Sequence, residues 1–431
     1  MQNLSPISKN PILRVPIQEK VLAEGYQMTD FLRESSANLA VLRRDPTVLT
    51  FITNHIPDML ECILAPQYAD ASKRGMKIIN LNIPKIIGAI CDNDKAIDHY
   101  IHESVKNPEN LPSISKLSEI IELCLTNYPE SIEDTFHSLP VLLDIVGNPM
   151  IYSLFEKLIN LNNAIFNNFF KTIDITNQII ERITYWHDEP NFETSDYVIN
   201  LYKLLIKFCS LSTITDDYIS PRLICLAANH FDHNLNNVIS LQWKLVNVLI
   251  LLVPATEFSS LFELALETIE TDDNFFYPYQ TEALHFLTLY SSYSDVFHHI
   301  NVDKLVSTVS SLFEKFPEHS FVLSEVCNFM ITTIDISEYR QSISQHFFPL
   351  LAKSFESVNH SNQTSFGKEF VRQIMEMSQA DEELKKLIEQ QKDPFEVYQA
   401  EIISYNKILK HNYGGIGSVP NYVACTLPTV Y

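Results

Sequence analysis

Apolar residues recur at helical spacing in paired segments between Ile83 and Ile159, and this pattern constrains the fold more than any other feature of the chain. In the segment 113–128 they follow one another at steps of three and four residues, which places them in one stripe along a helix. A second segment begins at Ser131 with a Ser-x-x-Asp helix-start signal, so the two helices are expected to pack as an antiparallel pair. One pair cannot bury its apolar stripe alone and must stack on neighbouring pairs.

The pattern continues along the chain with a period of roughly 40 residues, which lies in the range of HEAT and armadillo units. Sheet-rich folds need glycine for turns with positive φ, yet only 8 glycines occur among the 431 residues. The sequence therefore predicts an all-α fold, a single elongated α-solenoid of HEAT/armadillo-like helical pairs. Beyond Phe192 the predicted pairs lie at about 193–230, 234–271, 277–316 and 318–358, and a last group lies at 362–412.

Three parts of the chain are expected. Residues 1–20 carry three prolines and little periodicity, so they are predicted to form a poorly ordered N-terminal arm. Residues 21–412 contain no linker rich in glycine or serine and are predicted to form one continuous helical-repeat domain. Residues 413–431 begin with a glycine-rich turn and are predicted to be a C-terminal tail.

Charge and composition narrow the classes of partner. The formal charge of −22 opposes nucleic-acid binding, because that binding gains most of its affinity from neutralising phosphates. The longest apolar run, 248–253, ends at Pro254 and is too short to span a bilayer, so no membrane partner is expected. Seven cysteines without a Cys-x-x-Cys pair, and an N-terminus without signal-peptide features, favour the cytoplasm, with the nucleus as a second location.

Sequence motifs for catalysis are missing. No His-Glu-x-x-His segment, paired cysteines or acidic calcium loop occurs, so no metal is expected. The run Gly414–Gly417 has Pro420 where a dinucleotide loop would place its third glycine, and no cofactor is expected. No Gly-x-Ser-x-Gly elbow and no set of kinase motifs is present. The chain is therefore predicted not to be an enzyme, and catalysis on a helical scaffold is kept as an alternative.

Aromatic residues supply the candidate partner contacts. Trp243 lies in a strongly apolar helical segment and is either packed in the core or an anchor for a partner. The aromatic residues around Pro278 lie in a loop between helices, where they either plug the edge of the solenoid or form a rigid contact surface. The predicted partner-binding residues are Trp243, Lys244, Phe276, Tyr277, Pro278 and Tyr279.

Several segments follow one another in the order of a known family. They are Phe31–Leu39, Ile83–Ile87, Leu142–Met150, Trp243–Leu249, Phe275–Tyr279 and Phe395–Gln399. In this order the chain resembles the SAPS family, regulatory subunits that associate with the catalytic subunit of protein phosphatase 6, over about residues 31–412. The chain departs from the family where Tyr279 replaces a tryptophan and where Met375 lies in place of an alanine.

The resemblance implies a non-catalytic regulatory or scaffold subunit. Its partner would be the catalytic subunit of a type-2A-like Ser/Thr protein phosphatase, and a further scaffold subunit is a second candidate partner. The helical repeat would position that subunit and direct its choice of substrates, while the metals of the partner would perform the dephosphorylation. The alternative is a solenoid adaptor in nuclear transport or vesicle trafficking, since the same acidic helical surface suits a basic cargo signal.

Overall fold

A computed structural model describes residues 15–188, 194–211, 219–229, 231, 235–270, 274–293, 296, 300–356 and 362–412. Every regular element in these ranges is a helix, which confirms the predicted all-α class. The chain folds into two compact units, Met1–Leu252 and Val253–Tyr431. Each unit has its own rows of packed helices.

Unit 1 contains sixteen α-helices and two short 3-10 helices within its described residues. The α-helices are α1 (Ile17–Lys20), α2 (Met28–Arg33), α3 (Ala37–Leu42), α4 (Pro46–Asn54), α5 (Ile56–Leu64), α6 (Ala69–Ile79), α7 (Pro84–Cys91), α8 (Asp94–Lys106), α9 (Leu111–Asn127), α10 (Ser131–Asp134), α11 (Pro149–Asn160), α12 (Ala164–Thr172), α13 (Ile175–Asp188), α14 (Ser195–Ser210), α15 (Pro221–Ala228) and α16 (Asn236–Leu249). The 3-10 helices are Pro66–Tyr68 and Leu139–Ile145.

The described part of unit 2 contains nine α-helices and one 3-10 helix, Ala255–Phe258. The α-helices are α17 (Leu261–Ile269), α18 (Pro278–Ser291), α19 (Val302–Lys315), α20 (Ser320–Ile334), α21 (Ser337–His346), α22 (Phe348–Glu356), α23 (Asn362–Met377), α24 (Glu382–Gln390) and α25 (Lys392–Asn412).

Proline and a preceding polar side chain fix the start of several helices. Pro149 is the first residue of α11, and the side chain of Asn148 accepts a hydrogen bond from the Met150 amide at 2.9 Å. Asp45 caps α4 in the same way, directly before Pro46. The first turn of a helix leaves amides without partners, and proline has none to lose there. Proline at the first helical position therefore marks where these helices begin.

Within each unit, helices pack on helices further along the chain in continuous rows. In unit 1, α5 packs on α9, α9 on α11, α11 on α14 and α14 on α16. In unit 2, one row runs from α18 through α20 to α23 and another from α19 through α21 to α24. The apolar stripe of each helix is therefore buried by its neighbours in the row, as in solenoids.

Polar contacts between neighbouring repeats carry the same period. The Tyr128 hydroxyl donates to the Pro84 carbonyl over a separation of 44 residues, and Arg182 donates to Asp144 over 38. In unit 2, His285 pairs with Glu325 over 40 residues, and Arg340 donates to Asp381 over 41. The predicted spacing of roughly 40 residues is thus present in the polar contacts themselves.

Some local expectations differ from the structure. Ser131 is the first residue of α10 and not its cap, since its hydroxyl donates to the Tyr128 carbonyl at 2.7 Å. The predicted N-terminal arm includes the short helix α1, whose Ile17 is buried. Residues 1–14 of the arm, and the predicted tail at 413–431, lie outside the described residues.

Candidate protein-binding surfaces

Trp243 lies on α16 with 0% of its surface exposed. Its ring lies 4.7 Å from the ring of Phe231, at an interplanar angle of 43°. The adjacent Lys244 is exposed on the same helix. The core-packing interpretation of Trp243 therefore describes its position, and the indole offers no surface to a partner in this structure, whereas the ammonium of Lys244 does.

The other four predicted residues lie together at the start of α18. Phe276 is buried and packs against Phe316, with ring centroids 5.3 Å apart in an edge-on arrangement. Tyr277 and Tyr279 are half-buried, and their rings stack in parallel at 5.7 Å. Pro278 is exposed. Phe276 is therefore packed against a neighbouring helix, whereas Pro278 is exposed and the two tyrosines keep part of their surface open. A role of these residues in binding a partner stays a prediction.

A buried glutamine holds this loop in place. The Tyr277 amide donates to Oε1 of Gln280 at 2.8 Å, and Nε2 of Gln280 donates to the Thr268 carbonyl at 2.9 Å. Gln280 is buried, so breaking these bonds would leave polar atoms without water. The bonds tie the aromatic segment to the end of α17 and keep its rings in a fixed arrangement.

Two exposed phenylalanines enlarge this region beyond the predicted residues. Phe275 is 72% exposed and precedes the plug residue Phe276, while Phe321 is 74% exposed in the first turn of α20. His319 links Phe321 to this region, since its ring lies 6.5 Å from the ring of the buried Phe276 and 6.5 Å from the ring of Phe321. We call Phe275, Tyr277, Tyr279, His319 and Phe321 the aromatic surface. Sequence reasoning missed His319 and Phe321, although Phe321 falls outside the apolar stripe of its helix.

A groove in unit 1 was also missed. It has a volume of about 1030 Å³, and we call it the Tyr185 groove. Tyr185 is 68% exposed and Leu111 is 59% exposed on its walls. The lining residues come from the end of α8, the turn to α9 and its first residue, the end of the second 3-10 helix with the turn after it, the first residue of α11, the end of α13 and the start of α14. They are Val105, Pro108, Leu111, Asp144, Ile145, Gly147, Asn148, Pro149, Glu181, Arg182, Tyr185, Trp186, Thr194, Asp196 and Tyr197.

Close backbone packing shapes one wall of the groove. A Cβ on Gly147 would lie 3.4 Å from the backbone of Tyr197, so the turn after the second 3-10 helix and α14 pack within van der Waals distance at this glycine. Nδ2 of Asn200 donates to the Val146 carbonyl at 3.0 Å and fixes the same turn. Burial raises the pKa of Tyr197 to about 12, so this phenol stays protonated. The segment 142–150 singled out in the sequence thus forms the wall of a surface groove.

The charged side chains that line the groove are mostly acidic. Arg182 bonds Asp144 at 2.8 Å, which neutralises that carboxylate. Glu181 pairs with Arg222 at 3.3 Å, but both side chains are 68% exposed and such a pair is worth little. Asp196 forms no ion pair with any described residue. The groove therefore combines apolar walls with negative charge at its edge.

Neither a three-ligand metal cluster nor a bilayer-spanning helix occurs among the described residues. Across them, no three His, Cys, Asp or Glu side chains come together as a metal site requires. In the same ranges, no helix combines the length and the hydrophobicity that a bilayer span requires. Burial raises the pKa of the Cys62 thiol to about 11 and thereby lowers the fraction of reactive thiolate.

Comparison with known proteins gives a structural likeness and no family. No family model and no curated protein matches it. Among solved structures, an engineered protein whose crystal structure came from the Northeast Structural Genomics Consortium is 11% identical, with a TM-score of 0.45 over 86% of this chain and 98% of that one. A likeness of this size carries no inference about function. The resemblance to the SAPS family stays a prediction.

Proposed function

We propose that the chain is a non-catalytic scaffold that acts by binding another protein. The observation that carries the proposal is the aromatic surface, which contains two phenylalanines that are each more than 70% exposed, Phe275 and Phe321, together with the stacked rings of two tyrosines. Exposed aromatic clusters on a rigid frame are typical of protein interfaces, because large rings bury much area at small entropic cost. Gln280 supplies the rigidity by fixing the loop to α17.

The partner that we propose is the catalytic subunit of a type-2A-like Ser/Thr protein phosphatase. Support comes from the order of segments in which the chain resembles the SAPS family, and the aromatic loop Phe275–Tyr279 is one of these segments. In this role the chain performs no chemistry. It holds the catalytic subunit and directs it to chosen substrates, while the metals of the partner carry out hydrolysis.

A pull-down with the full-length chain tests the proposal. The wild-type chain and a Phe275→Ser/Phe321→Ser double variant are used to capture partners from native lysate, followed by mass spectrometry and a phosphopeptide assay. We expect a phosphatase catalytic subunit with the wild-type chain and at least a tenfold loss with the variant, since interface aromatics commonly contribute about 2 kcal/mol or more. Leu161→Ser is the matched control, because Leu161 is exposed but lies in unit 1.

Two results would contradict the proposal. Repeated capture without any phosphatase catalytic subunit would remove the proposed partner. Equal recovery by the double variant and by the Leu161→Ser control would remove the aromatic surface as its binding site. Both variants change exposed side chains, so circular dichroism should give the same helix content and melting curve as the wild type.

A further inference from the structure

Unit 1 carries a second depression beside the Tyr185 groove. It has a volume of about 1290 Å³, lies along α8, and includes Tyr100 in its wall; we call it the Tyr100 cleft. Pro108, in the turn between α8 and α9, lines both the cleft and the groove. The two depressions therefore meet at this turn and form one surface.

The two halves of this surface have different chemistry. The groove exposes the ring of Tyr185 and the side chain of Leu111, which together form an apolar seat. The cleft is lined by four carboxylates, those of Asp58, Glu61, Glu103 and Glu109, against two lysines. An occupant must therefore offer apolar area to one half and positive charge to the other.

More than half of the carboxylates that line the two depressions form no ion pair with a described residue. The two depressions together are lined by seven carboxylates against Lys95, Lys106 and Arg182, a formal charge of −4 with histidine neutral. Lys106 is already paired with Glu103 at 3.1 Å, and Arg182 with Asp144 at 2.8 Å. Four other carboxylates have no cationic group within 4.0 Å among the described residues: Asp58, Glu61, Glu109 and Asp196.

The negative charge of the cleft also acts on the tyrosine in its wall. Burial is the main cause that raises the pKa of Tyr100 to about 12, and the negative charge of Glu61 raises it as well. An approaching cation would be attracted to this half of the surface, and a concave wall of low dielectric strengthens that attraction. Apolar contact alone would not select a partner, because many proteins can supply a bulky side chain.

We propose that the Tyr185 groove and the Tyr100 cleft together bind an extended peptide segment in which a bulky apolar side chain neighbours a run of lysine or arginine residues. The apolar side chain packs between Tyr185 and Leu111, and the basic run lies past Pro108 along Glu61 and Glu109. The site rests on the proposed function, since a non-catalytic chain acts through the proteins that it binds. It supplies what that function still lacks, a means of recruiting the substrates of the bound catalytic subunit.

Fluorescence anisotropy with purified full-length chain tests this site. The probe is a fluorescein-labelled peptide of about twelve residues with a run of lysines followed by leucine and phenylalanine. We expect binding that weakens as salt rises from about 0.05 to 0.25 M, because exposed charges are screened over that range. Replacing the lysines by glutamate, or leucine and phenylalanine by glycine, should weaken binding about tenfold or more.

Variants of the chain locate the site. The Tyr185→Ser/Leu111→Ser variant should bind the probe about tenfold more weakly at every salt concentration, because it lacks the apolar seat. Glu61→Gln/Glu109→Gln should weaken it mainly at low salt, since it removes charge and keeps shape. Leu161→Ser again serves as the control for an exposed apolar residue. Equal binding by all variants, or no preference for the basic probe over its glutamate counterpart, would overturn the inference.

The same samples separate this inference from the proposed function. If the wild-type chain captures the phosphatase but binds no probe, the segment-binding site is wrong and the proposed function stands. If it binds the probe at the predicted residues but captures no phosphatase, the site stands and the proposed partner is wrong.

Discussion

Replacing Trp243 with alanine separates a core role from a partner-binding role for the residue that the sequence left ambiguous. The indole is 0% exposed, and the ring of Phe231 lies 4.7 Å away. A buried tryptophan side chain covers about 150–250 Å² of area. At about 25 cal/mol per Å², the area lost on truncation to alanine corresponds to roughly 4 kcal/mol, inside the range of about 3–5 kcal/mol for such substitutions.

The expected result is a large loss of stability confined to unit 1. For a domain of this size, a loss of about 3–5 kcal/mol lowers the melting temperature by roughly 6–20 °C. The chain has two tryptophans, and removing Trp243 leaves Trp186, which also lies in unit 1. Urea unfolding followed by Trp186 fluorescence therefore reports this unit, and far-UV circular dichroism follows the whole chain.

The matched control is Lys244→Ala, one position further along α16. Its side chain is exposed, so the free energy of unfolding should change by no more than about 0.5 kcal/mol. A Trp243→Ala variant that loses less than about 1 kcal/mol, yet no longer captures partners, would refute the assignment of the indole to the core. It would mean that Trp243 is accessible to another protein.

Three further substitutions test the packing of helices and one polar contact between repeats. Gly75→Ala should destabilise the fold by about 1–3 kcal/mol, because the new Cβ would lie 2.5 Å from Cγ1 of Ile63. Gly88→Ala should instead stabilise the fold by about 0.5–1 kcal/mol, because the new Cβ would meet no atom closer than 3.5 Å and glycine weakens a helix interior. A urea midpoint that falls for Gly75→Ala and rises for Gly88→Ala would confirm the two predictions. The hydrogen bond that His285 donates to the Glu325 carboxylate raises the pKa of His285, so the stabilisation from this pair is complete below the unfolded value of about 6.5 and is lost as pH rises through the folded pKa. The urea midpoint of the wild type should therefore exceed that of Glu325→Gln more at about pH 6 than at about pH 8, and a gap that grows with pH would contradict this.

Helical content and its period could be predicted from the sequence because they depend on short-range order. The stripe in 113–128 requires only residues three and four positions apart, and the structure places α9 at Leu111–Asn127. Proline at the first helical position is equally local, since it depends on the missing amide of that one residue. These signals lie within each segment and do not depend on the helices that surround it in the fold.

The exposure of particular side chains could not be predicted in this way. The sequence around Trp243 is apolar on most sides of α16, so the pattern does not show which side a neighbour covers. Phe321 belongs to a helix with a buried stripe, yet it lies in the first turn and remains exposed. Both outcomes depend on helices that lie elsewhere in the chain.

Stacked helical pairs with a repeat of roughly 40 residues could be predicted from local sequence patterns alone. Helix packing decides that Trp243 is enclosed, that Phe275 and Phe321 are exposed, and that two depressions meet at Pro108. The difference comes from distance along the chain. A helix is fixed by neighbours within one or two turns, whereas a surface is formed by side chains such as Asp144 and Arg182, which are 38 residues apart and meet only when the repeats stack.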